Sequence, residues 1–532
     1  MKKTIQKLMA VLLVVAMVCA MAIPAFADTE SIREHHSFKA FQIFKGNVND
    51  ASEISNVEWG SCIHNYHDFL AELKKDSTLG NQFSNADNVQ DVLAVIGKWS
   101  NSDNDSIAFA RFVCNYLYPT ADADPKPFIP TSGDVVQIPN DGAGYYLIVD
   151  TTDFSSGDDY HACNSFLLNV TQAPWNLPIT PKAEKPSVKK EVYDNPDGTS
   201  NEAGFDSSAD HAINEKFQFK LTATLPASND NDRAYDYYDK YTVTFHDTLS
   251  EGITFDHWDT VVINNGGSDI TIPPEKYTYD VSDQNLTLNI DNVKSCADGL
   301  NLNNGATITV TYTAHLNDKA RVNTASGDTK NTNKVYLTYS NNPKNSASWG
   351  KTPESEVYVF TYQLNNTKRQ DSETGDVLEG AGFRLYSDAA CNDTDEIKLK
   401  KNTTDGTYSR YFGDEAGEQM FSDDKGQFNV KGLDAGTYYL KETTTPTGFN
   451  TCPVTTVVIK ANHTGNNVDL NGSTINGKDV GASGLSTTIV NNRGTTLPST
   501  GGMGTTLFYV IGGGLMVAAI VLLVTKKRME NK

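Results

Sequence analysis

Two lysines stand where alternation makes them chemically interesting. In "TYQLNNTKRQ" a period of two sets Lys368 on the face of Tyr362 and Leu364, and in "KPSVKKEV" it sets Lys190 with Val188 and Val192 and turns Lys189 to solvent. Asparagines hold similar positions: Asn333 shares a face with Val335, Leu337 and Tyr339, and Asn491 with Ile489. An amine carried into apolar surroundings loses its proton and becomes a nucleophile. Other patterns are weaker. His35-His36 and His161 with Cys163 lack a second ligand pair at metal spacing, and "NDND" at 229–232 lacks the glycine and distal glutamate of a calcium loop. No Ser/His/Asp arrangement, phosphate loop or cofactor fingerprint stands out, so neither metal nor cofactor is expected.

The elements that would hold these residues follow from the ends inward. The run from Thr505 to Val524 is free of charge, spans about 30 Å as a helix, and is followed by Lys526, Lys527 and Arg528. It reads as one membrane span with its basic end in the cytoplasm. Residues 1–27 have a basic start, an apolar middle and small residues at Ala25 and Ala27, the build of a secretory signal cleaved before Asp28. Between the signal and Thr500 the chain carries 37 basic and 65 acidic residues, a formal charge of −28. Such a surface repels itself, and it argues against nucleic acid or anionic lipid as a partner. Cys62, Cys114, Cys163, Cys296, Cys391 and Cys452 remain in that body, too few and scattered for a disulfide scaffold; Cys391 and Cys452 either pair or stay free.

Past Pro186 the sequence consists of short alternating runs such as "YTVTFHDTL", "ATITVTYTAHL", "NKVYLTYS", "GTYYLKE" and "TTVVIKA", broken by Gly, Asn, Asp and Pro. These predict antiparallel β-sandwiches. Before that point "HSFKAFQIF" and "GAGYYLIVDT" predict strands, while "HDFLAELKKD", "VQDVLAVIGKW" and "SIAFARFVCNYLY" have helical spacing. Pro-rich "APWNLPITPKAEKPS" and the linker "SNNPKNSASWGKTPES" mark boundaries, which gives modules at 28–180, 181–350 and 351–496 and a tail at 497–532. "AGYYLIV" at 143–149 is like "GTYYLKE" at 436–442, but Val149 stands where the later stretch has Glu442.

Leu497-Pro498-Ser499-Thr500-Gly501, then a span, then a basic end, resembles the sorting signal of Gram-positive surface proteins. The resemblance implies a sortase that cleaves between Thr500 and Gly501 and passes the threonine carbonyl to an amine. Pro498 kinks the extended segment and Gly501 leaves the scissile bond unshielded. "LEGAGFRLY" with "GLDAGTYYLKETTTPTGF" resembles the Cna-B type module, in which a strand Lys and a last-strand Asn condense to an isopeptide bond beside a carboxyl group. That carboxyl donates to the Asn carbonyl and shuttles protons as ammonia leaves. The likeness implies Lys368 with Asn491, Asn492 being the alternative, and Glu442 between them. Arg369 takes the slot where the Lys usually stands, two residues before Asp371. "KPSVKKEV" with "NKVYLTYSNNP" resembles the first and last strands of the Cna-A-like module of major pilins, which implies Lys190 with Asn333 and makes Asp247 of "FHDTLSEGITF" the catalytic Asp.

"WNLPITPK" resembles the pilin motif of shaft subunits, with Lys182 as acceptor amine and Lys185 as the alternative; Thr180 replaces the usual Tyr. Taken together the expectation is an all-β chain of tandem immunoglobulin-like Cna-type sandwiches, the first with added helices. It would be a structural subunit of a covalent pilus, with no enzymatic turnover of its own. Its partners would be sortase, copies of itself, accessory pilins, peptidoglycan and a host or surface ligand. The alternatives are a wall-anchored adhesin that never polymerises and a secreted enzyme carrying Cna-B spacers.

Overall fold

The computed structural model describes residues 37–48, 54–99, 104–119, 129–132, 135–138, 142–152, 166–170, 175–178, 185–195, 204–226, 235, 238–303, 305–480, 483–494 and 504–530. They form two compact units. One holds the described part of Met1–Gln363 together with Lys431–Gly436 and Ile459–Ser473; the other holds Leu364–Val430, Thr437–Val458 and the remainder from Thr474.

The first unit contains two cores. In the first core, strand Phe38–Val48 lies antiparallel to Gly144–Asp150, with Phe41 opposite Leu147 and a register shift between Gln42 and Phe44. Helices Tyr66–Lys75, Val89–Ile96 and Asn104–Leu117 pack on it through the apolar stripes that their spacing predicts. Asn65 caps the first of them by accepting from Asp68 N, and Asn88 caps the second by accepting from Gln90 N and Asp91 N. Phe69, Leu73, Val92, Phe109 and Val113 join Phe41, Tyr145, Leu147 and Val149 in one cluster.

The second core lies between two sheets. One places Ser187–Asp194 beside Lys216–Thr224, followed by Thr307–Leu316 and Ile253–Asn264; the other centres on Asn331–Ser340 between Val243–Leu249 and Ser355–Phe360. Alternate residues turn inward, so Phe219, Leu221, Val310 and Tyr312 of one sheet meet Phe245, Val335 and Leu337 of the other.

In the second unit the strand Tyr362–Gln370 runs parallel to Ser486–Asn491, in continuous register from Asn365 opposite Ser486 to Gln370 opposite Asn491. A second sheet pairs Gly382–Tyr386 with Gly436–Thr444 and sets Phe383 opposite Glu442. Gly426, at φ +73, lets the chain cross close to the Lys368 strand: a Cβ there would lie 2.5 Å from the Lys368 carbonyl. The two stretches 431–436 and 459–473 fall within the third sequence module yet belong to the first unit. Linear linkers do not reveal such returns. The second unit's chain ends in helix Gly504–Glu530, apolar enough to cross a membrane from Tyr509 to Met529.

Candidate functional site

Each unit holds a buried lysine beside a carboxyl group and an asparagine. In the second unit alternation turns Lys368 inward from its strand, where its side chain is fully buried. Its Nζ donates to Asn491 Oδ1 at 2.5 Å and to Ile489 O at 3.3 Å. Parallel pairing makes this possible, because it sets Ile489 opposite Lys368 and brings the end of the last strand alongside. Asn491 Nδ2 donates to Glu442 Oε1 at 2.7 Å, and Cys452 N holds the other carboxylate oxygen at 2.8 Å. Phe383, stacked on Phe428 at 4.4 Å between centroids, lies under the amine at 5.8 Å. Burial pulls the Lys368 amine below its ordinary range, against the opposing pull of Cys452 and Glu442. The ladder carries Lys368 inward with no register shift, and Arg369 donates to Gly375 O at 2.7 Å.

The first unit builds its cluster across the sandwich. Lys190 bonds to Asp247 Oδ2 and donates to Tyr312 OH at 3.1 Å. Tyr312 OH donates to the same Asp247 oxygen at 3.1 Å, and Asn333 Nδ2 donates to Tyr312 OH at 2.6 Å. The phenol therefore bridges lysine and asparagine. Register explains the convergence: Leu221 faces Lys190 within one sheet, while Val335 faces Asp247 and Leu249 faces Asn333 within the other. The rings of Phe219 and Tyr312 lie 5.0 and 5.2 Å from the amine. Burial dominates the electrostatics and drives both partners toward their neutral forms. It brings the Lys190 amine down to about 8, against Asp247, and raises the Asp247 carboxyl, against Lys190 and Tyr312. Asp247 Oδ1 and Asn333 Oδ1 are buried without a hydrogen-bond partner.

The structure thus brings together Lys368, Asn491 and Glu442, and separately Lys190, Asp247 and Asn333. Tyr312 escaped the sequence reading, since its alternation with Ile308 and Val310 marks it only as core. Cys391 and Cys452 are both free thiols, as are Cys62, Cys114 and Cys296. Cys452 is pushed up to about 12 by burial, lowered by Lys368 and raised again by Glu442; Cys296 is pushed up to about 11 by burial, and burial raises Cys62 and Cys391 as well. Val149, opposite Glu442 in the internal likeness, is buried in the first core, whereas Asp150 turns to the other face of its strand and bonds to Thr152. Lys182 and Leu497, Pro498, Ser499, Thr500 and Gly501 lie outside the described residues, as do His35, His36, His161, Cys163 and 229–232; Lys185 is described and exposed.

Residues 365–474 match the SpaA family, a prealbumin-like fold domain, and residues 489–531 match the LPXTG cell wall anchor motif. No curated protein matches the chain at a significant level. Among solved structures the chain is similar to the group B streptococcus pilus 2b backbone protein, at 23% identity over 54% of this chain and 97% of that one, with a TM-score of 0.38. It is also similar to the T6 backbone pilin of serotype M6 Streptococcus pyogenes, at 16% identity over 87% and 97%, with a TM-score of 0.46. The full-length major pilin SpaD of Corynebacterium diphtheriae aligns at 20% identity over 72% and 86%, with a TM-score of 0.40. The anchor match, with the apolar helix that ends in basic residues, makes this a cell-surface protein attached to the wall through an LPXTG motif of the kind sortases process.

Proposed function

We propose that the chain is the shaft subunit of a covalent pilus, internally tied by two isopeptide bonds. Polymerisation would proceed by acyl transfer: sortase takes the Thr500 carbonyl, releases the Gly501 amine, and Lys182 Nζ of a neighbouring copy accepts the acyl group. The internal bonds need no enzyme. The neutral Lys368 amine attacks Asn491 Cγ, the Cγ–Nδ2 bond breaks, and ammonia leaves with a proton relayed through Glu442, which already accepts from Nδ2 at 2.7 Å. Lys190 would join Asn333 in the same way, with Asp247 as the acid and Tyr312 positioning both partners. Each bond is made once, so the chain is no turnover enzyme. The observation that carries this reading is the buried trio Lys368, Asn491 and Glu442 inside a wall-anchored β chain.

Intact mass measurement of the secreted body tests the internal bonds: two ammonia losses are expected, and an unshifted mass defeats both. Polymerisation is tested separately, by a ladder of detergent-resistant species from the cell wall. One anchored band of monomer mass would make the chain a non-polymerising adhesin.

A further inference from the structure

A third buried cluster in the first unit takes no part in that chemistry. Asp194 ends strand Ser187–Asp194, Asp210 ends Ser208–Asp210, and His463 lies in the short strand Asn462–Thr464; all three side chains are 1–2% exposed. His463 Nε2 stands 3.1 Å from Asp194 Oδ2 and 3.6 Å from Asp210 Oδ1. The outer atom of each group is tied back by the protein. Asp194 Oδ1 accepts from Asp210 N at 3.3 Å, Asp210 Oδ2 accepts from Ala435 N at 3.3 Å, and His463 Nδ1 lies 3.0 Å from Ser208 Oγ. The inner atom of Asp210, Oδ1, accepts no hydrogen bond, although it is completely buried. Its neighbour is His463 Nε2 at 3.6 Å, beyond hydrogen-bond reach, and a cation seated between the two would answer both atoms.

We infer that Asp194 Oδ2, Asp210 Oδ1 and His463 Nε2 are the protein ligands of one divalent cation of the zinc class. Around tetrahedral zinc, bonds of about 2.0–2.2 Å set ligand atoms about 3.3–3.6 Å apart, close to the two spacings observed here. A hydrogen bond on the far side of each ligand fixes its orientation toward a metal, and Ser208 would set the imidazole tautomer. The Tyr362 hydroxyl, buried beside Asp210, is the polar group nearest a fourth position. The neighbouring trio His211, Glu215 and Asp434 is different. There His211 Nε2 lies 2.7 Å from Tyr193 O, and both Glu215 oxygens accept hydrogen bonds, from Asn195 Nδ2 and Ala212 N.

A cation in the first trio would clasp residues 269 positions apart, from Asp194 to His463, and so fix the returning segment Ile459–Ser473 in place. Metal content gives the test. The full-length chain in detergent is stripped with chelator, equilibrated with Zn2+, desalted and analysed for bound metal; a parallel sample takes Co2+, whose visible absorption reports tetrahedral ligation. We expect His463→Gln and Asp210→Asn each to bind one zinc fewer than the wild type and to lose the tetrahedral cobalt spectrum. Wild type that retains no zinc after desalting overturns the assignment whatever the variants do. Equal zinc and equal cobalt spectra in wild type and both variants also overturn it, because the metal is then held elsewhere.

Discussion

Replacing Glu442 by Gln separates the chemistry of the second-unit cluster from its packing. The carboxyl group is the acid nearest the departing nitrogen, and losing general acid catalysis slows such a step by about 10²–10⁴-fold. Freshly folded Glu442→Gln should therefore remain at its full sequence mass for this bond while wild type has lost ammonia. The stability consequence follows from the 123 positions that separate Lys368 from Asn491. Treated like a disulfide closing a loop of that length, the crosslink restricts the unfolded chain by about 5 kcal/mol. For a unit of this size that corresponds to a fall in Tm of roughly 10–20 °C. Glu442→Gln also disturbs the bond from Cys452 N, a separate loss of about 1–3 kcal/mol. Lys368→Met removes the nucleophile but keeps that bond, so the fall common to both variants measures the tie. The assay pairs intact mass with thermal unfolding. Glu442→Gln that loses ammonia at the wild-type rate refutes the assigned role, and Lys368→Met with an unchanged Tm refutes the stability argument.

The other expectations concern different parts of the chain. Lys182→Ala should abolish the wall-extracted ladder while leaving monomer secretion and the internal mass deficit intact; a normal ladder would shift the assignment to Lys185, to be tried as Lys185→Ala. Because the Lys190 amine titrates at about 8, ammonia loss from Lys190–Asn333 in newly synthesised chain should quicken about tenfold per pH unit up to that point and then level off. A rate that falls as pH rises from 6 to 8 would contradict a neutral amine as the attacking group. Limited proteolysis should cut within 28–180 before 351–496, with no Lys–Asn crosslinked peptide from 28–180, since Val149 stands where a carboxyl would be required.

Alternation made much of this legible. It turns Lys190, Lys368, Asn333 and Asn491 inward, and the structure buries all four. Helical spacing also marked the three helices of the first core, because a half-buried helix writes its period into the chain, whereas strand Gly144–Asp150 is buried on both faces and shows no alternation. Pairing partners left no such trace. Nothing local tells that Ser486–Asn491 runs parallel to Tyr362–Gln370, yet that pairing puts Asn491 against Lys368. Tyr312 was hidden by its own periodicity, as a core aromatic and a hydroxyl relay look alike in one dimension. Asp194, Asp210 and His463 were invisible for a third reason: metal motifs are recognised by short spacing, and this trio is assembled by a segment that returns from far along the chain. The Cys391–Cys452 question also needed three dimensions, since sequence separation sets no limit on approach.

The free thiols bear on how the protein survives outside the cell. Exchange and oxidation begin from the thiolate, and a thiol held at about 11 or 12 is ionised in only about one molecule in 10⁴ or 10⁵ at neutral pH. Cys296 and Cys391 are buried besides, and Cys452 is shielded beside Lys368, where each fills space as a small apolar side chain. An oxidising exterior therefore finds little to react with at these thiols once the chain is folded. Among the described residues reductant has no disulfide to break, so the strength of these two cores and of the second unit should be the same in aerated and in anoxic, sulfide-rich surroundings.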